Sequence, residues 1–380
     1  MKRLTLFALA AIAGGLFSCA NQKGFTLTGE LAGFSDSIQI RLQSLFTDEI
    51  LDSAYLAGGR FTIEGTLDSA PEEAWLTIRD GAALYVSSSF MLSNDKLSLK
   101  TDKEGFGRHA RVIGGKYQQE YNQMKDLTAQ YYVAIDSLLE EFEAFGAIAT
   151  REERNAQVPV INAKLGELYD LAERADNEFV RNNINTYAAL ARIAGGFVKH
   201  QNRDTVRMLY AQLEPEYKTS KYGQIMEAYI NTPTIWEGDD YYDFEALDQH
   251  GNTRKLSDFE QDYLLLAFCS AGCGACYYAY SEMEEIYKTM GDSVAVINYS
   301  LDTSKDTWEQ SVVHAKIEWP YLWEGNGRNG TVPITYDIGA TPVFVLIGPE
   351  RKIVSRWGGV DPNDSEFLRK RITQDMKYQK

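Results

Sequence analysis

Cys273 and Cys276 stand in the order Cys273-Gly274-Ala275-Cys276, a pair separated by two residues. Two thiols at that spacing can exchange with a disulfide. One attacks as the thiolate, and the other reaches back to resolve the mixed disulfide. A lone Cys-x-x-Cys says little, but its surroundings add weight. Tyr263-Leu264-Leu265-Leu266-Ala267-Phe268 runs into Cys269 as a continuous apolar stretch, the pattern of a strand buried on both faces. A helical pattern follows from Tyr277 to Met290. The spacing therefore places Cys273 near a helix N-terminus, where free N–H groups and the helix dipole stabilise a thiolate.

Cys269 has two readings. It is a small buried hydrophobe, as free cysteines often are, or a third thiol able to enter a disulfide. Cys269-x3-Cys273-x2-Cys276 also spells a radical iron–sulfur spacing, but no repeated βα barrel surrounds it. A metal–thiolate site with His314 has no spacing to support it, and the Thr-x-x-Cys nucleophile of a peroxidase is missing. No cofactor and no metal are expected.

The elements that must hold this pair form an alternating α/β segment. Val294–Ser300 reads as a second buried strand and Asp302–Ile317 as a helix. Gly339-Ala340-Thr341-Pro342 is a turn leading into a third strand through Ile347. Arg351–Gly359 reads as a fourth strand and Glu366–Met376 as a closing helix. Thr232-Pro233 marks where this segment begins.

Residues 236–380 resemble the thioredoxin fold in its envelope TlpA-like/ResA-like thiol–disulfide oxidoreductase branch. The Cys273–Cys276 motif, the long gap to Pro342 and the Gly339–Pro342 stretch carry the resemblance. It implies that Cys273 attacks, that Cys276 resolves, and that a cis-Pro342 exposes the Thr341 backbone to dock a substrate peptide. It also implies protein thiol or disulfide substrates and a membrane thiol carrier as electron donor, with the protein acting as a reductant. The pattern departs at Gly272, where Trp is common, and at Ala275, where Pro is common. Ala267 and Ala279 stand where relatives place acids, so no general base is named. Glu282, Glu284 and Glu285 are read as a solvated helix face. The rival reading is a binding or scaffold lipoprotein with a structural Cys273–Cys276 disulfide on a non-catalytic platform.

The first residues read as an address. Met1-Lys2-Arg3 precedes a 14-residue apolar run, Leu4–Phe17. That is short of the roughly 20 residues a spanning helix needs and suits a secretory signal. Leu16-Phe17-Ser18-Cys19 resembles a bacterial lipoprotein cleavage box, which implies a signal over 1–18 and acylation of Cys19. Ala20 and Asn21 carry no inner-membrane retention signal. The expected location is the cell envelope, lipid-anchored and periplasm-facing, on the outer membrane.

Residues 19–113 read as a small all-β domain. Phe25–Leu31, Ser37–Leu42, Arg60–Gly65 and Ala74–Arg79 alternate apolar and polar, and Gly58-Gly59 reads as a hairpin turn. This stretch resembles a β-domain of unknown function that commonly precedes thioredoxin domains in envelope lipoproteins. Residues 114–231 read as helical, with an apolar set from Tyr121 to Phe142 taken as intersegment packing. A second helix is read from Ile161 to Phe179, with Pro159 at its start or kinking it. His109 and His200 read as loop histidines.

The chain has 380 residues, 44% hydrophobic and 24% charged, as ordinary folded proteins have. Its 54 acids against 38 basic residues give a net charge of −16, which argues against nucleic acid as a partner. Four cysteines are too few for a disulfide-stapled scaffold.

Overall fold

The computed structural model describes residues 24–378 except 48, 69–70, 108–109, 198–201 and 362–363. The expected signal, Cys19, His109 and His200 lie outside the described residues. Among the described residues no helix is long and apolar enough to cross a membrane.

The N-terminal unit is β-rich, as the alternation predicts. One sheet holds β1 (Phe25–Ala32), β4 (Arg60–Gly65), β8 (Lys96–Asp102) and β9 (Val112–Ile113) in the order β4-β1-β8-β9. The other holds β2 (Gln39–Ser44), β3 (Ile50–Tyr55), β5 (Glu72–Asp80), β6 (Ala83–Val86) and β7 (Phe90–Leu92). Period-2 alternation sends Phe25, Leu27 and Leu31 inward from β1, and they meet Ile40, Leu42 and Leu76 of the second sheet in one core. Gly58 and Gly59 do form a tight turn, with φ of 58° and 70°, the left-handed pair that glycine adopts freely. Ala57 and Arg60 close it with reciprocal backbone bonds of 2.9 and 3.1 Å. The strands it joins then part, β3 to one sheet and β4 to the other.

The middle unit is helical. A hairpin of α1 (Lys116–Ile148) and α2 (Arg151–Asn182) is followed by α3 (Tyr187–Arg192), α4 (Arg203–Ala211), α5 (Pro215–Lys218) and α6 (Lys221–Asn231). The second helix begins ten residues before the expected Ile161, and Pro159 lies inside it. The start is set by Thr150, whose side chain accepts from the Glu153 amide while the Glu153 carboxylate accepts from the Thr150 amide. Tyr121, Met124 and Ile135 of the expected apolar set are buried, whereas Leu127 and Leu139 are exposed. Packing thus explains only part of that set.

The C-terminal unit is a thioredoxin-like α/β domain. Its sheet runs β14-β13-β12-β15-β16, built from β12 (Tyr263–Cys269), β13 (Val294–Ser300), β14 (Tyr321–Leu322), β15 (Val343–Ile347) and β16 (Ile353–Gly358). The first three pair in parallel and the last two antiparallel. A small hairpin of β10 (Glu245–Leu247) and β11 (Thr253–Lys255) precedes them. Every residue of β12 is buried. Leu264, Leu266 and Phe268 enter the core on one face, and Leu265, Ala267 and Cys269 the core on the other. Four helices complete the unit: α7 (Gly274–Met290), α8 (Lys305–Ala315), α9 (Thr331–Thr335) and α10 (Phe367–Tyr378).

The units touch. Lys221 pairs with Glu72 at 2.9 Å between the helical and β units. Arg203 donates to Thr234 at 2.7 Å, and Thr303 donates to the Thr47 carbonyl, joining both to the C-terminal unit.

Candidate active site

The fully buried β12, the central strand of its sheet, delivers the chain to its C-terminal end at Cys269. Ser270, Ala271 and Gly272 turn it, and the Cys273 amide donates to the Ser270 carbonyl at 3.1 Å. Cys273 is then the N-cap of α7, so its side chain takes the place that Ser or Asp fills in other helices. The Cys276 amide donates to Cys273 Sγ at 3.1 Å. Cys273 and Cys276 are joined as a disulfide, with Cα atoms 5.3 Å apart. Cys276 is fully buried and Cys273 partly exposed. An incoming sulfur therefore meets Cys273 first. The same N–H that holds Cys273 Sγ stabilises its anion after reduction.

Thr341 and Pro342 come to the same end of the sheet. Val343 pairs with Phe268, one residue before Cys269. The Thr341–Pro342 peptide is cis, as the resemblance implied. The Thr341 and Ser270 hydroxyls lie 3.4 Å apart, and the Pro342 carbonyl accepts from the Gly359 amide at 2.9 Å. Gly339 and Ala340 beside them are exposed.

Cys269 is fully buried and free. The Tyr280 side chain is its hydrogen-bond partner, and Tyr280 meets the Tyr321 hydroxyl at 3.3 Å. Burial pushes the Cys269 thiol up to about 12. Its geometry is that of a packed core atom rather than a nucleophile.

Asp302 is an acid that the sequence reading missed. It is buried, and its two carboxylate oxygens lie 3.0 and 3.2 Å from the Ala271 amide nitrogen. The Ser300 hydroxyl donates to it at 2.7 Å. Burial holds its carboxyl above the usual range, against the lowering effect of those bonds. Its place follows from the register of two buried strands, which the structure supplies. Cys269 lies opposite Ser300, so the residue two beyond Ser300 falls opposite the residue two beyond Cys269. The expected acid positions, Ala267 and Ala279, are both fully buried and apolar.

Glu282 corrects the solvated-face reading. It is buried and accepts from the Leu368 amide at 2.8 Å, at the first turn of α10. This α7 residue, about two helical turns beyond the cysteines, thus anchors the closing helix. Glu284 and Glu285 are solvent-facing, and they pair with Lys288 and Arg369. His314 packs edge-on against Tyr277 with ring centroids 5.7 Å apart. Among the described residues no group of three or more His, Cys, Asp and Glu side chains is placed to hold a metal ion.

Residues 238–356 match the AhpC/TSA family, and residues 25–121 match a domain of unknown function, DUF4369. No curated protein matches the chain. Among solved structures the chain is similar to the thioredoxin domain of a thiol-disulfide oxidoreductase from Bacteroides vulgatus, at 23% identity and a TM-score of 0.34, covering 37% of this chain and 98% of that one. A thiol-disulfide oxidoreductase from Bacteroides fragilis is similar at 22% identity and a TM-score of 0.31, covering 36% and 98%. An exposed lipoprotein thioredoxin from Streptococcus pneumoniae is similar at 22% identity and a TM-score of 0.30, covering 35% and 99%.

Proposed function

We propose that this chain is an envelope thiol–disulfide oxidoreductase that reduces protein disulfides with Cys273 and Cys276. One observation carries the reading: Cys273 Sγ caps α7 and accepts the Cys276 N–H, partly exposed above a buried Cys276. In the reduced state Cys273 attacks as the thiolate. Its sulfur bonds to one substrate sulfur, the substrate S–S bond breaks, and the departing substrate thiolate takes up a proton. Cys276, having lost its proton, then attacks Cys273 Sγ, closing the internal disulfide and releasing the second substrate thiolate, which is protonated in turn. Two electrons and two protons pass to the substrate. A membrane thiol carrier restores the dithiol. Thr341 and Pro342 dock the substrate backbone beside the attacking sulfur. Cys19 carries the lipid anchor that holds the protein to the outer membrane, facing the periplasm.

The scaffold reading draws support from Ala267 and Ala279, which leave the buried side of the pair without the acids that commonly carry its proton. A redox titration separates the two readings. The chain carrying Cys19→Ser is equilibrated in glutathione buffers, alkylated, and its free thiols are counted by mass spectrometry. A two-electron transition at Cys273 and Cys276 is expected within the glutathione range, with a midpoint that assigns reductant or oxidant. A pair that stays oxidised throughout supports the scaffold. Metabolic labelling with palmitate, lost in Cys19→Ser, tests the anchor.

A further inference from the structure

All three units line one cleft of about 840 Å³, and the cleft reaches the loop that ends in the cis peptide. Phe46 and Thr47 come from the β unit, Gly195 and Gln224 from the helical unit, and Arg328 and Gly339 from the C-terminal unit. The Thr303 hydroxyl donates to the Thr47 carbonyl and ties the β wall in place. Gly339 precedes Thr341 by two residues, a reach of at most about 7 Å along the chain. An extended polypeptide docked on Thr341 therefore needs only two or three further residues to enter the cleft.

Three charged side chains border this space: Glu73, Lys221 and Arg328. Lys221 pairs with Glu72 at 2.9 Å, and the Glu73 carboxylate accepts from the Tyr121 hydroxyl. Arg328 differs. One guanidinium N–H goes to the Gly339 carbonyl at 3.1 Å, so the side chain sits against the docking loop itself. Its other two nitrogens have no hydrogen-bond partner among the described residues and are not buried. Asp302 feels the charge of Arg328, but its carboxylate is taken by the Ala271 amide and the Ser300 hydroxyl. Arg328 thus holds the loop with one donor and leaves the rest of its planar fork open. Such a fork pairs best with a carboxylate.

We propose that this cleft receives the polypeptide beside the substrate's disulfide, with an acidic side chain of that segment paired to Arg328. The β and helical units are then one wall of the substrate site, and the preferred substrate is an extended acidic segment. The proposal rests on the oxidoreductase reading above.

The test measures single-turnover reduction by the full chain, reduced beforehand and freed of reductant. Each substrate is a disulfide that takes two electrons and two protons from the Cys273–Cys276 dithiol. One is a short peptide whose single cysteine is capped by mercaptoethanol, with glutamate at the second and third positions to either side. The next carries glutamine at those positions. The third is the disulfide of mercaptoethanol alone, too small to fill the cleft, and each peptide rate is taken relative to it. Salt is held at about 0.15 M, so that the overall negative charge of the chain is screened beyond about 8 Å. Wild type is expected to reduce the glutamate peptide about fivefold faster than the glutamine peptide. Arg328→Gln keeps a donor for Gly339 and is expected to abolish that preference. Gln224→Trp, at an exposed position on the helical wall, narrows the cleft and is expected to slow both peptides severalfold relative to the small disulfide. Thermal unfolding confirms that each variant is folded. If wild type reduces none of the three, the oxidoreductase reading fails and takes the proposal with it. If wild type reduces all three without preferring glutamate, or if folded Arg328→Gln keeps the preference, the proposal is overturned and the oxidoreductase reading stands. Peptide rates unchanged in folded Gln224→Trp overturn the role of the helical wall.

Discussion

Both carboxylate oxygens of Asp302 lie within 3.2 Å of the Ala271 amide nitrogen, two residues before the partly exposed Cys273. The strand that ends at Ser300 thereby holds the loop that presents Cys273. The hold is electrostatic and buried, so its strength depends on pH. Burial raises the Asp302 carboxyl above its ordinary value of about 4. Between that value and the raised one, the folded state keeps a proton that the unfolded state has lost. Asp302 therefore costs stability as pH rises through that window. Asp302→Asn removes the ionisation but keeps an acceptor for Ala271. Urea unfolding from pH 4 to 7 is expected to show wild type losing stability relative to Asp302→Asn as pH rises. A constant difference across the range contradicts this.

Cys269 is expected to be silent. Its thiol is fully buried and pushed up to about 12, so almost none of it is thiolate at neutral pH. Iodoacetamide added to the reduced native protein is expected to label Cys273 first and Cys276 slowly. Cys269 is expected to react only after denaturation. Peptide mapping of the time course reads this directly, and early label on Cys269 would revive the third-thiol reading.

Glu282 fastens the closing helix to the helix that carries the cysteines, through its 2.8 Å bond with the Leu368 amide. Glu282→Ala leaves that N–H buried without a partner, a loss of about 1–3 kcal/mol. Denaturant unfolding is expected to show that loss. The alkylation rate of Cys273 is expected to stay as in wild type, because Glu282 lies two helical turns further along.

Trp308 and Trp323 stack at 5.3 Å, yet only Trp323 has a partner for its N–H, the Asp302 carbonyl at 2.7 Å. The Trp308 N–H is buried and unpartnered. Substituting each with Phe removes similar volume, but only Trp323→Phe breaks a hydrogen bond. Trp323→Phe is expected to destabilise the protein by about 1 kcal/mol more than Trp308→Phe. Equal losses would mean that volume alone decides.

What the sequence made legible were local patterns with a physical cause. The apolar run of β12 meeting a helical pattern was enough to place Cys273 at a helix start. The alternation of Phe25–Leu31 was enough for a strand. The start of α2 was misread because Pro159 looks like a boundary, while the capping box that opens at Thr150, nine residues earlier, fixes the true one. The Gly58-Gly59 turn was legible, but not the separation of its two strands into different sheets, which is settled by long-range pairing of β4 with β1. Asp302 and Glu282 were missed for the same reason. Their roles come from a strand register and from a contact with a helix 86 residues away, and neither leaves a mark in the neighbouring residues.

The central claim is that Cys273 attacks protein disulfides and Cys276 resolves them. Trapping tests it most directly. Reduced Cys276→Ser is mixed with a disulfide-bonded protein such as insulin, and adducts are resolved on a non-reducing gel. A covalent adduct is expected, mapped to Cys273, released by dithiothreitol and absent from Cys273→Ser. No adduct from Cys276→Ser, or an equal adduct from Cys273→Ser, contradicts the claim.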